Sequence, residues 1–234
     1  MKNFSSCFKL DINGHRDIEF VDIPVDTDVK LFIDPGLIES GEDPFSKVCS
    51  IGMMSYFEQV FECCRKKDRK GLKKLFAYCG EINFTHLGNS RQRSCGRGAS
   101  EDILLDVFTD MIRQRLFEHE IILSPSDIYV LAPNFDKDRM SDLLTNVIFQ
   151  HLAVFTNRIC ENIGVPLEGS TNSGFWNADS KCWDTGNWHL PAIGGTPILL
   201  VPKHFVSRSY HYTTGSYISK YLLEYRKKFH LDTR

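Results

Sequence analysis

Three observations predict a mixed α/β or α+β domain: short apolar runs between turn formers at the start, helically spaced apolar runs in the middle, and isolated apolar runs between helices afterwards. A single domain over residues 1–234 is expected, with a small central sheet flanked by amphipathic helices. Its N-terminal segment 1–35 reads as β-rich, and residues 168–195 read as a long Trp/Gly-rich loop.

The opening stretch FKLDINGHRDIEFVDIPVDTDVKLFIDP is broken by Asn13-Gly14 and by Pro24 with its acidic neighbours, the punctuation of hairpins and short strands. From Pro44 the spacing of Phe45, Val48, Ile51, Met54, Phe57, Val60, Phe61 and Cys64 predicts a helix with one apolar face. Arg65, Lys66 and Lys67 end it, offsetting the negative end of its dipole. A short helix over 70–78 and a strand over 81–88 follow. A helix from Ser100 to about Phe117 carries Ile103, Leu104, Val107, Phe108, Met111, Ile112 and Leu116 on one face.

IYVLAP reads as a buried strand, and a long helix is expected over about 139–162. About 28 residues over 168–195 then lack periodicity, the length of a lid or binding loop rather than of a passive connection. PILLVPK reads as another buried strand and TGSYISKYLLEYRKKF as a terminal helix.

A formal charge of −2 and a charged fraction of 25% argue against a protein coated in basic residues, so any nucleic-acid contact must come from local patches. The eight cysteines form no C-x-x-C pair and no zinc-spaced Cys/His set. With no secretory leader and no apolar run near the ~18 residues that cross a bilayer, a cytoplasmic, soluble protein is expected.

The densest chemical signal is HLGNSRQRSCGRGAS, residues 86–100, with three arginines, three glycines and three serines ahead of a helix. Arg91, Arg93 and Arg97 with Gly96 and Gly98 suit a phosphate, because glycines let backbone N–H groups approach it and guanidinium forks clamp its oxygens. Solvated side chains on a tight turn explain the same residues, and Glu101 and Asp102 already satisfy the helix dipole. The basic run RKKDRKGLKK could track a phosphodiester backbone or be an exposed helix end. Trp176, Trp183, Trp188 and Tyr210 could stack on a base or cap the sheet.

Asp34, Asp136 or Asp138, and Lys203 each follow an apolar run. If those runs are neighbouring strands, these residues share one sheet edge, where sites of open α/β sheets gather. With Glu81 added, Asp34, Glu81 and Asp138 are expected as ligands of Mg²⁺ or Mn²⁺, with Lys203 assisting. Turn, cap and solvent-facing roles account for the same residues. His86 is the best-placed histidine for acid/base work.

The segments LFIDP, HLGNS followed by GRG, DRMSDLLTNVI and ILLVPK resemble small uncharacterised bacterial proteins found among mobile-element and phage-defence genes. The resemblance spans most of the chain and implies an effector acting on nucleic acid or nucleotides. The expected function is a metal-dependent nuclease or other phosphate-ester enzyme of anti-phage defence. The alternative is a non-catalytic module binding a nucleotide, nucleic acid or protein within a larger complex.

Overall fold

The computed structural model describes residues 2–11, 17–80, 82–88, 101–119, 121–132 and 135–210. Among these residues eight α-helices accompany three separate two-stranded antiparallel sheets, an α+β arrangement. The expected central sheet is replaced by small ribbons distributed around a helical core. No helix among the described residues is long and apolar enough to cross a membrane.

The N-terminal region holds more bridges than strands. After α1 (Phe4–Cys7), Asn3 bridges Pro24 and Phe20 bridges Pro202, and β1 is only Phe32–Ile33. Helix α2 (Pro35–Ser40) follows at once, because Asp34 caps it and Pro35 is preorganised for a first helical turn. Helix α3 (Pro44–Lys66) repeats the device with Asp43 and Pro44, and ends on Lys67 in a left-handed conformation. Its buried face carries Phe57, Val60, Phe61 and Cys64 as expected, but Met53 rather than Met54 is fully buried, and Val48 and Ile51 are 47% and 64% exposed. Helices α4 (Arg69–Phe76) and α5 (Glu101–Arg113) pack beside it.

Three expectations change. IYVLAP is not a strand: it lies mostly within helix α6 (Pro125–Leu131). The Asp127 carboxylate accepts from the Leu123 and Ser124 N–H groups at 2.7 Å each, and Pro125 opens the helix, so a strong N-terminal cap overrides a β-like composition. The single long helix is two, α7 (Lys137–Val147) and α8 (Phe149–Ile163), with the break at Ile148. The break lets α7 join the main core while Phe155, Ile159 and Cys160 of α8 join a second cluster. The supposed loop is a nine-by-nine-residue hairpin, β2 (Gly169–Asn177) and β3 (Cys182–Leu190). Its turn is held by the Asn177 side-chain oxygen, which accepts from Asp179 and Ser180 N–H.

β4 (Ala192–Ile193) and β5 (Thr196–Pro197) form a second ribbon, and β6 (Val206–Ser207) pairs with β1. Between them residues 198–201 carry no ladder, yet they behave as a strand buried on both faces. Ile198 and Leu200 enter the cluster formed by Phe4, Phe20 and Ile23, whereas Leu199 and Val201 enter the main core. Their backbone groups bond singly, the Leu199 N–H to Phe84 O at 2.8 Å and the Leu200 N–H to Thr156 Oγ1 at 2.9 Å. The expected strand over 81–88 reduces, in its described part, to one parallel bridge between Leu87 and Val29. The expected terminal helix lies outside the described residues.

Tyr210 fastens β1 to α7. Its hydroxyl lies 2.8 Å from both the Ile33 and Lys137 carbonyl oxygens, so one proton is shared between two acceptors. Burial, with Asp34 nearby, holds the phenol far above its ordinary pKa and so protonated. Tyr210→Phe is expected to cost about 1–3 kcal/mol, read from urea denaturation, because it strips the donor from two carbonyls. A variant as stable as the parent would show that the carbonyls find other donors.

Candidate functional site

Three segments far apart in sequence enclose a cavity of about 670 Å³: Val25 to Asp28, Asn83 with His86, and Ile193 to Ile198. The parallel bridge brings the first two together, since the Val29 N–H donates to His86 O at 2.9 Å and the Gly88 N–H to Val29 O at 3.0 Å. The bond from Leu199 to Phe84 then ties this pair to the segment behind β5.

His86 sits in the wall with φ +49°, a left-handed conformation uncommon for a side-chain-bearing residue, though histidine is among those that tolerate it. Strain of this kind concentrates where the surrounding fold fixes a functional side chain. Its Nδ1 lies 3.9 Å from Asp28 Oδ1, an ion-pair distance too long for a hydrogen bond. Burial presses the His86 pKa below its ordinary value, with Asp26 pulling it partly back, and burial pushes the Asp28 carboxyl up. Both shifts favour uncharged forms. The neutral imidazole is the form that can accept a proton, and the Asp28 carboxyl lies beside it without a hydrogen bond to it.

Gly88 completes the local geometry. Its φ is +141°, and a Cβ there would lie 3.1 Å from Asp138 Oδ1 and 3.8 Å from Asp28 Oδ2. A glycine thus lets two carboxylates approach the backbone next to the histidine.

The other expected residues fall elsewhere. Asp34 is fully buried, accepts from the Gly36 N–H at 2.9 Å as the α2 cap, and meets Ser207 Oγ at 3.4 Å. Lys203 opens a short 3₁₀ turn, its N–H donating to Glu19 O at 2.9 Å. Neither they nor Asp138 line the cavity, and Asp136 rather than Asp138 caps α7. Glu81, Arg91, Arg93, Gly96, Arg97 and Gly98 lie outside the described residues. Among the described residues no three His, Cys, Asp or Glu side chains converge in a way that could hold a metal ion. Asp28, Asp26 and Asn83 were missed by sequence reasoning, since Asp26 and Asp28 within PVDTD read only as turn formers. The proximity of Asp26 and Asp28 to His86 depends on a bridge across almost sixty residues of chain.

Two other signals acquire partners within the chain. In the basic run, Lys66 pairs with Glu62 at 2.6 Å, Lys67 with Glu118 at 2.8 Å and Lys73 with Glu101 at 3.4 Å, so three of its seven cations stand beside a carboxylate. The tryptophans cap the core: Trp176 is buried, Trp183 Nε1 donates to Leu75 O at 2.7 Å, and Trp188 packs on Phe149.

A Ser–His–Asp grouping at the start of α3 also proves to be a cap. Ser46 Oγ and Asp43 Oδ2 lie 3.2 Å and 3.5 Å from the same nitrogen of His204, Nε2, so the acid does not orient the opposite side of the ring. Ser46 is fully buried and its hydroxyl donates to the Asp43 carboxylate, which also receives the Phe45 and Ser46 N–H groups at 3.0 Å each.

A family model described as Domain of unknown function (DUF8370) matches residues 9–213. No curated protein and no solved structure matches significantly.

Proposed function

For a chain that belongs to the DUF8370 family, a domain of unknown function, we propose a phosphate-ester enzyme, a phosphodiesterase or nuclease, in which His86 is the general base and Asp28 is the acidic group beside it. The observation that supports the reading is the His86–Asp28 pair in the wall of a cavity of about 670 Å³, with burial holding the imidazole neutral. Arg91, Arg93 and Arg97, which follow Gly88 in the sequence, are the proposed contacts of the substrate phosphate on their chemistry alone, since guanidinium forks clamp phosphate oxygens.

The reading places the protein in a reducing cytoplasm, in keeping with seven described cysteines that form no disulfide. Its proposed defence context rests on the resemblance of LFIDP, HLGNS followed by GRG, DRMSDLLTNVI and ILLVPK to small bacterial proteins found among mobile-element and phage-defence genes. Purified protein incubated with DNA and with RNA, in Mg²⁺ or in EDTA, is expected to cleave at least one of them. Cleavage only with Mg²⁺ would restore a metal role for Asp138. Binding without cleavage in any condition would replace the enzyme with a nucleic-acid-binding module.

A further inference from the structure

The lining of the cavity narrows the substrate. Two carboxylates, Asp26 and Asp28, line it together with Thr27, Asn83 and His86, and Val25, Ile193 and Ile198 add apolar surface. Carboxylates repel a phosphate but accept hydrogen bonds from hydroxyl groups, and the aliphatic side chains suit the flat face of a base. A sugar bearing hydroxyls therefore fits this wall better than a bare phosphate does. His86 and Asp28 lie at ion-pair distance, 3.9 Å from Nδ1 to Oδ1, so the imidazole stands where a hydroxyl held by the carboxylates would be within its reach. A histidine base acts most directly on a nucleophile already held within the substrate, where proximity replaces activation of a free water.

Resting on the phosphodiesterase reading, we propose that the substrate is RNA, with the ribose 2′-hydroxyl beside the cleaved bond held at the Asp26–Asp28 wall and deprotonated by His86 Nε2. The 2′-oxygen forms a bond to phosphorus as its proton passes to Nε2. The bond from phosphorus to the 5′-oxygen breaks, and the departing oxygen takes the electron pair and a proton from water. The products carry a 2′,3′-cyclic phosphate and a 5′-hydroxyl.

The test uses the full chain in EDTA with four oligonucleotides of one sequence: RNA, DNA, DNA containing a single ribonucleotide, and 2′-O-methyl RNA. The RNA and the single-ribose chimera are expected to be cut, the chimera only after its ribose, with cyclic phosphate ends seen by mass spectrometry. DNA and 2′-O-methyl RNA are expected to react at least ~10²-fold more slowly, the lower end of what a lost general-base step costs. Comparable cutting of DNA, 5′-phosphate ends, or cleavage only after Mg²⁺ is added would overturn the ribose assignment and leave a phosphodiesterase. Failure to cleave any of the four, with or without Mg²⁺, would overturn both.

Discussion

His86→Asn is expected to lower the rate of phosphodiester cleavage by ~10²–10⁴-fold, the usual contribution of a positioned general base, while leaving the fold intact. Asparagine is the better replacement because it tolerates the left-handed backbone at φ +49°, where alanine would add strain to the loss of the base. Asp28→Asn should also lose activity, and its effect on stability separates positioning from structure. The Asp28 pKa is raised in the folded chain, so at neutral pH its buried charge costs stability that protonation at low pH would relieve. Asparagine removes that cost, and the variant should be at least as heat-stable as the parent at pH 7. Lower stability together with lower activity would mark Asp28 as a structural residue.

The pH dependence follows with the opposite sign for His86. Its pKa is depressed by burial, opposed by Asp26, with the Asp28 carboxyl 3.9 Å from Nδ1 and the Asp138 carboxyl beside the Gly88 backbone. The neutral base therefore persists below the ordinary histidine value of about 6.5, and the acidic limb of kcat/KM should fall below that value. Stability runs in parallel: the unfolded chain takes up the proton more readily, so stability is lost as pH falls from the ordinary histidine range through the lower folded value. His151, also depressed by burial, adds to this loss. An acidic limb above the ordinary value would contradict a desolvated base at this position.

Trp176→Ala is expected to destabilise the protein by about 3–5 kcal/mol, the range for deleting a large buried aromatic side chain. Trp176 is 2% exposed, lies edge-on to Tyr56 at 5.2 Å and to Trp183 at 5.8 Å, and donates from Nε1 to Ser55 Oγ at 3.2 Å. Alanine leaves a cavity under the hairpin and removes the ring that joins it to α3. Against a typical domain stability of about 5–15 kcal/mol, this is a large fraction of the whole. The check is a urea titration of parent and variant, with Trp176→Phe as an intermediate. A loss below about 1 kcal/mol would mean that the hairpin does not dock through this ring.

The register of apolar residues determined where the long helices run. Pro44 to Lys66 was legible because its caps and its 3.6-residue spacing agree, and the α5 face was legible from its spacing. Where local signals conflicted, composition misled. In SPSDIYVL, the β-branched and aromatic residues pointed to a strand, while the Ser124–Asp127 cap and Pro125 decided for a helix. In the hairpin the strand residues are mostly small and polar, so no alternation showed, although Asn177 and the two tryptophans that flank its turn marked where the chain reverses.

The chain alone offered His86 as the histidine best placed for acid/base work and the arginines after it as candidate anion ligands, because side-chain chemistry is written residue by residue. Tertiary structure alone chose its partner. Asp28 meets the imidazole only because Val29 bridges Leu87, and Asp34, equally acidic and nearer a strand end, turns inward to cap α2. Such pairings arise from long-range backbone bonds and from the burial of two apolar clusters on either side of residues 198–201. Neither leaves a periodic trace in a one-dimensional sequence.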